Sequence, residues 1–214
     1  VNTDVSNIAL GTDYTTQINE KGGTIVLGGN YITYTSDQFQ ELESDYFLPD
    51  GEFLNRIKFE TNARQDTKIA AGYADLNTTL WGGTLETGLK YSNIDTETGL
   101  DYFDIENGAM VFNPTLSDEF TYEESIFAGY FSFEKSLEKW SISLGTRAEY
   151  TDVEGVSISL GSLNTQEYFK LFPSAGVEYQ MNDNNSVGIN YVRKIDRPRY
   201  QSLNPFRYFI NENN

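Results

Sequence analysis

The sequence predicts an all-β fold: an antiparallel transmembrane β-barrel, of which residues 1–214 supply part. Three observations predict it. Long stretches alternate apolar and polar residues, aromatic residues stand at both ends of each apolar face, and short turns alternate with long acidic connections.

The alternation is clearest in WGGTLETGLKY, residues 81–91. Trp81, Gly83, Leu85, Thr87, Leu89 and Tyr91 fall on one side, and Gly82, Thr84, Glu86, Gly88 and Lys90 on the other. Strand side chains point to opposite faces in turn, so a period of two describes a strand between two different solvents. WSISLGTRAEY, residues 140–150, repeats the design, with Trp140, Ile142, Leu144, Thr146, Ala148 and Tyr150 against Ser141, Ser143, Gly145, Arg147 and Glu149. Residues 169–179 give a third case, with Phe169, Leu171, Pro173, Ala175, Val177 and Tyr179 against Ser174, Gly176 and Glu178. Trp81, Leu85, Leu89, Tyr91, Trp140, Ile142, Leu144 and Tyr150 are therefore expected to face lipid or form its aromatic girdles. Glu86, Lys90, Arg147, Glu149, Glu178 and, further on, Lys194 are expected to face the lumen.

Each of these apolar faces begins and ends on an aromatic, ten residues apart. At about 3.3 Å per residue that is roughly 33 Å of strand. Tilted by about 45°, it covers about 23 Å along the membrane normal, close to the ~25 Å apolar band of an outer-membrane barrel. Tyr and Trp suit the two edges of that band, being apolar at one end and polar at the other. A soluble sheet packed on a core also alternates, but its strands are usually about five or six residues long.

Short polar turns are expected at 19–23, 77–80, 135–139 and 182–185, and long connections at 36–65, 94–119, 151–166 and from 195 onward. Outer-membrane barrels sort their connections in this way, with short periplasmic turns and long extracellular loops. About eight strands result: 10–19, 23–35, 66–77, 81–94, 121–135, 139–151, 167–181 and 185–195. The run 125–133, SIFAGYFSF, is apolar on both sides and cannot be oriented from pattern, and 23–35 is ambiguous. The long connections hold much of the acid, which keeps charge out of the lipid face. The first and last strands are expected to have open edges.

Composition agrees. Hydrophobic residues make up only 38% of the chain, and no apolar run is long enough for a membrane helix. A net charge of −17 disfavours nucleic acid as a partner. There is no cysteine, so neither disulfides nor thiolate metal sites are available. There is no histidine, which removes the commonest general base, and no enzymatic role is expected. No cofactor is expected. The carboxylates in DTETGLDYFD, residues 95–104, lack the order of an EF-hand and read as a solvated acidic loop. Asn77-Thr78-Thr79 matches a glycosylation pattern but falls in a predicted periplasmic turn. Residues 193–199 place four basic side chains in an acidic chain, to bridge acidic loops or to meet an anionic substrate or lipopolysaccharide. No basic segment followed by an apolar core opens the sequence, so the start of an exported parent is expected to lie upstream.

Residues 168–210 carry a more specific pattern. Arg193-Lys194-Ile195-Asp196-Arg197-Pro198-Arg199-Tyr200-Gln201, then Leu203-Asn204-Pro205-Phe206, resembles the R-x-I-x-R-P-x-Y-Q-x-L-N-P-F segment of TonB-dependent receptors from Bacteroidetes. EKWSISLGTRAEYT, residues 138–151, resembles another hairpin of that family. The resemblance covers 65–210 well and 1–64 more loosely. It implies a barrel of about 22 strands filled by a plug domain. It also implies import of a scarce or bulky nutrient, small molecule or oligomer, with the TonB complex acting through the plug and outer-membrane lipid around the wall. On that reading residues 1–214 are a barrel segment without the plug and the closing strands. The alternative is a self-contained eight-stranded barrel with a structural or adhesive role.

Overall fold

The structure, a computed structural model, describes residues 1–20 and 22–195. Within them the chain forms one antiparallel sheet of nine strands: β1 (Asn2–Gln17), β2 (Thr24–Phe47), β3 (Phe53–Leu80), β4 (Gly83–Glu106), β5 (Ala109–Phe112), β6 (Asp118–Leu137), β7 (Trp140–Ser157), β8 (Ser162–Asn182) and β9 (Asn185–Val192). The order is β1-β2-β3-β4-β6-β7-β8-β9, with the short β5 paired to the end of β4. Along that path each strand lies beside the next, because the connections are short enough for hairpins, and β5 and β6 follow one another along the same edge of β4. The sheet is open: β1 and β9 stand at its two edges.

Eight expected strands are present, and β5 is an addition. One turn moves. The β3–β4 reversal is made by Trp81 and Gly82, both at positive φ (50° and 73°), and not by residues 77–80. Two such residues in a row match the right-handed twist of the flanking strands. Trp81 is therefore a turn residue, its ring edge-on to Phe133 at 6.4 Å.

The larger correction concerns the long connections. Most of 36–65, 94–119 and 151–166 is strand; only 48–52, 107–108, 113–117 and 158–161 are not. Their carboxylates stand on continuing strands, most of them on face I, with Asp104, Glu106 and Asp118 on face II. The stretch 95–104 is likewise part of β4, not a loop.

Directly opposed residues of an antiparallel ladder share a face, so the registers assign every strand residue to face I or face II. Tyr14, Leu27, Ala74, Leu89, Gly129, Ala148 and Leu171 lie side by side across seven strands on face I. In the row beyond them come Tyr91, Phe127, Tyr150 and Phe169, an aromatic belt on four neighbouring strands. The register also orients the ambiguous segments, with Phe127, Phe131 and Phe133 on face I beside Tyr91, Thr87 and Leu85, and Leu27 and Tyr31 beside Ala74 and Ala70.

Past the belt the sheet changes character. Face I becomes charged: Asp95, Glu123 and Glu154 stand side by side. Like charges so placed require water. Face II, polar below, now carries Phe59, Leu100, Tyr102, Phe120 and Tyr122, all buried. Phe59 and Tyr102 stack with centroids 4.9 Å apart. Burial pushes the Tyr102 hydroxyl up to about 12, helped by the Asp104 charge. The outer parts of the hairpins are thus β-stems with a core of their own.

Ion pairs on face I stiffen the longest stem. Arg56 meets Asp45 at 2.6 Å and Glu43 at 3.0 Å, and Lys58 meets Glu41. The hydrogen bond from Arg56 holds the Asp45 carboxyl below its ordinary range. These pairs are exposed and contribute little each.

Asp118 fastens the 158–161 turn. Its carboxylate accepts from the Ser157 hydroxyl at 2.8 Å and the Ser159 N–H at 3.0 Å. Burial pushes its pKa up, but these bonds and the Glu119 N–H outweigh it and leave it lowered. A depressed carboxylate stabilises above its unfolded pKa and loses that contribution as pH falls through the folded value. The turn should therefore stay anchored at neutral pH and loosen below about pH 4. Asp118→Ala should loosen it at neutral pH, seen as faster chymotryptic cleavage after Leu160; cleavage at the wild-type rate would contradict this.

Candidate functional site: the wall of the barrel

Below the belt, burial is inside out. On face I, Leu89 is 53% exposed, Phe127 50% and Leu144 49%. On face II, Ala128 is 1% exposed and Glu149 5%. A soluble sheet hides its apolar face; this one presents it, and buries Ala128 and Glu149 of the polar face while Glu86, Lys90 and Glu178 stay exposed. Contiguous apolar area of this extent needs an apolar partner, and a lipid bilayer is one.

Leu85, Leu89, Tyr91, Trp140, Ile142, Leu144 and Tyr150 all share face I. Trp140 stacks at a tilt on Tyr179, centroids 4.6 Å apart, at the end opposite the belt. Glu86, Lys90, Arg147, Glu149 and Glu178 share face II. They are not one cluster. Arg147 Nε donates to Glu149 Oε1 at 2.6 Å, and Asn77 donates to Glu86 at 3.1 Å. Lys90 lies in the same row as Ala128 and Glu149, and Glu178 lies apart, opposite Ser141. Lys194 falls beyond the end of β9 and is exposed. The remainder of the basic segment, including Arg197 and Arg199, lies outside the described residues.

Two clasps on face II were missed. Tyr73 donates its hydroxyl to Asp13, and Tyr130 donates to Asp75 at 2.9 Å. Each clasp joins strands that are not neighbours, passing over a glycine of the strand between: Gly28 for the first and Gly88 for the second. A Cβ at Gly88 would lie 2.7 Å from the Tyr130 ring and 2.8 Å from the Ala74 carbonyl. The available signal was a glycine inside an alternating strand, which marks close approach of a neighbour.

Face II here is a polar wall that can line a water-filled or protein-filled space. Among the described residues no group of three carboxylates could hold a metal ion. Asp95, Glu97 and Asp101 lie on face I of β4 and Asp104 on face II, so the stretch cannot converge on one ion.

No curated protein matches the chain in sequence. Solved structures do match in fold. The sheet resembles the ferric-catecholate import receptor Fiu from E. coli K12 (TM-score 0.67, 13% identity, 89% of this chain and 33% of that one). It also resembles the siderophore receptor PiuA from Acinetobacter baumannii (0.65, 12%, 89% and 32%) and the unliganded ferric citrate transporter FecA (0.57, 12%, 85% and 26%). The chain thus spans from about a quarter to a third of the length of these receptors. A family model for the outer membrane protein beta-barrel family matches residues 16–214. With its inside-out sheet, the chain belongs to the outer membrane protein beta-barrel family and resides in the bacterial outer membrane.

Proposed function

We propose that residues 1–214 form one barrel segment of a TonB-dependent outer-membrane transporter that imports a scarce or bulky nutrient. The observation that carries this reading is the inside-out sheet, apolar toward lipid and polar toward a lumen, in the fold of receptor barrels that bind or import iron complexes. The open edges of β1 and β9 favour a larger barrel over a self-contained eight-stranded one. On this reading Leu85, Leu89, Ile142 and Leu144 face lipid, with Tyr91 and Tyr150 at one girdle and Trp81 and Trp140 at the other. Glu86, Lys90, Arg147, Glu149 and Glu178 line the lumen, where they meet a plug or the nutrient's path. Partners are outer-membrane lipid, the TonB complex through a plug, and a small-molecule or oligomeric nutrient; the role is not enzymatic and requires no cofactor. The basic motif after β9 favours a source in Bacteroidetes.

The test is genetic. Deleting the gene should abolish growth on a limiting supply of some nutrient, and removing TonB function should abolish the same growth. Uptake that needs this gene but not TonB would overturn the transporter reading and favour a passive or structural barrel.

A further inference from the structure

Beyond the belt, face I carries a cleft of about 590 Å³. Clefts that hold small ligands measure about 300–1,000 Å³. Three consecutive rows of the ladder build it. Asn2, Phe39, Asn62 and Asp101 stand side by side in the middle row. Asp4, Asp37, Arg64, Gly99 and Glu119 form the row on the membrane side. Phe112, opposite Phe103, belongs to the row on the far side. Pro114 and Ile158, from two connections, complete the rim.

The floor offers hydrogen bonds of both senses. Asn2 and Asn62 donate and accept, Arg64 donates, and the carboxylates of Asp4, Asp37, Asp101 and Glu119 accept. Arg64 extends over Gly99, where a Cβ would lie 3.9 Å from the guanidinium Nη2. Among the described residues it forms no ion pair. Above this floor stand two rings with free surface, Phe39 at 40% exposed and Phe112 at 50%.

A ligand for such a cleft needs hydroxyls that both donate and accept, together with flat C–H faces for the two rings. A pyranose has both. We propose that the cleft binds a short neutral oligosaccharide. Four carboxylates against one guanidinium repel an acidic sugar. Those carboxylates come from four strands, and among the described residues no group of three could hold a metal ion. A wholly apolar ligand would leave the charged floor desolvated and unpaired.

The position agrees. Arg64 lies eight residues past Gly72, which shares the row of Tyr91. At about 3.3 Å per residue and a tilt of about 45°, that is roughly 19 Å above the girdle. The cleft lies on the outside of the wall, beside the transport route and not on it. It rests on the transporter reading only for which end faces outward. With the stems at the cell surface, the sugar comes either from saccharide chains of the cell's own outer leaflet or from a free oligosaccharide.

The test uses the full-length protein in detergent on an array of neutral, acidic and amino-bearing oligosaccharides, with the neutral surface polysaccharide of the strain that makes it. At least one neutral member should bind. Phe39→Ala combined with Phe112→Ala should weaken that binding at least about tenfold, in protein that keeps its heat-modifiable mobility. Asn62→Ala removes one hydrogen-bonding group, leaves both rings in place and should cost roughly fivefold. Binding of the strain's own polysaccharide identifies the membrane as the source; binding of other neutral members alone identifies a free sugar. Either result is independent of TonB, so this inference and the transporter reading can fail separately. No binding of any neutral member, tighter binding of a charged member, or neutral binding that both variants leave unchanged would overturn the proposal.

Discussion

Arginine at Leu144 should block assembly of the barrel, while arginine at Glu86 should leave it nearly intact. Leu144 lies on face I, 49% exposed, four residues from Trp140 and six from Tyr150, near the middle of the apolar band. Glu86 lies on face II in the row of Ser132 and Gly145, at almost the same depth. Arginine at a lipid-facing midplane costs about 2–4 kcal/mol, and a lumenal position is far more tolerant. Glu86 is exposed and gives up only its hydrogen bond from Asn77. Arg147 is a poorer control, because its removal would leave Glu149, 5% exposed, without its guanidinium partner. Heat-modifiable mobility of the folded barrel on a gel reads both variants. Equal tolerance would remove the inside–outside assignment.

Gly88→Ala should also weaken the barrel, with the loss concentrated at β3, β4 and β6. The added methyl would meet the Tyr130 ring at 2.7 Å and the Ala74 carbonyl at 2.8 Å. The ring can swing away, at the expense of its bond to Asp75, but the carbonyl belongs to the ladder and cannot. Overpacking of this kind costs about 1–3 kcal/mol. Tyr130→Phe separates the two effects, since it removes only the hydroxyl and should cost about 1 kcal/mol. Urea unfolding in detergent should rank Gly88→Ala below Tyr130→Phe, and Tyr130→Phe below wild type. Gly88→Ala as stable as wild type would mean that no close crossing exists there.

How far the sequence could be read depends on which property each residue expresses. Trp140–Tyr150 and Phe169–Tyr179 were legible because one face is almost uniformly apolar and the other is not, so the period of two is unmistakable. Residues 36–65 were misread because alternation there runs between acid on face I and a mixed face II of Gln38, Gln40, Leu42 and Ser44. Neither face is uniform, so no apolar stripe marks the strand. Trp81 was placed in a strand because it continues the alternation of 83–91; only its positive φ, which few non-glycine residues adopt, reveals the turn. The tyrosine–aspartate clasps escaped because they join strands separated by another strand. No local pattern encodes such a pairing until the register is known.

The central claim is that one sheet changes which face it presents to water at the row of Tyr91, Phe127, Tyr150 and Phe169. Strand β7 crosses that row and can be tested on a chain with no native cysteine. Single cysteines from Ser141 to Val156, each spin-labelled in lipid, should be compared for collision with oxygen, which enters the bilayer, and with a water-soluble nickel chelate. Even positions from Ile142 to Ala148 should favour oxygen, and odd positions the chelate or neither. At Asp152, Glu154 and Val156 the even positions should instead favour the chelate. Oxygen preference that carries on through Asp152 and Glu154, or that falls on Ser143, Gly145 and Arg147, would contradict the account.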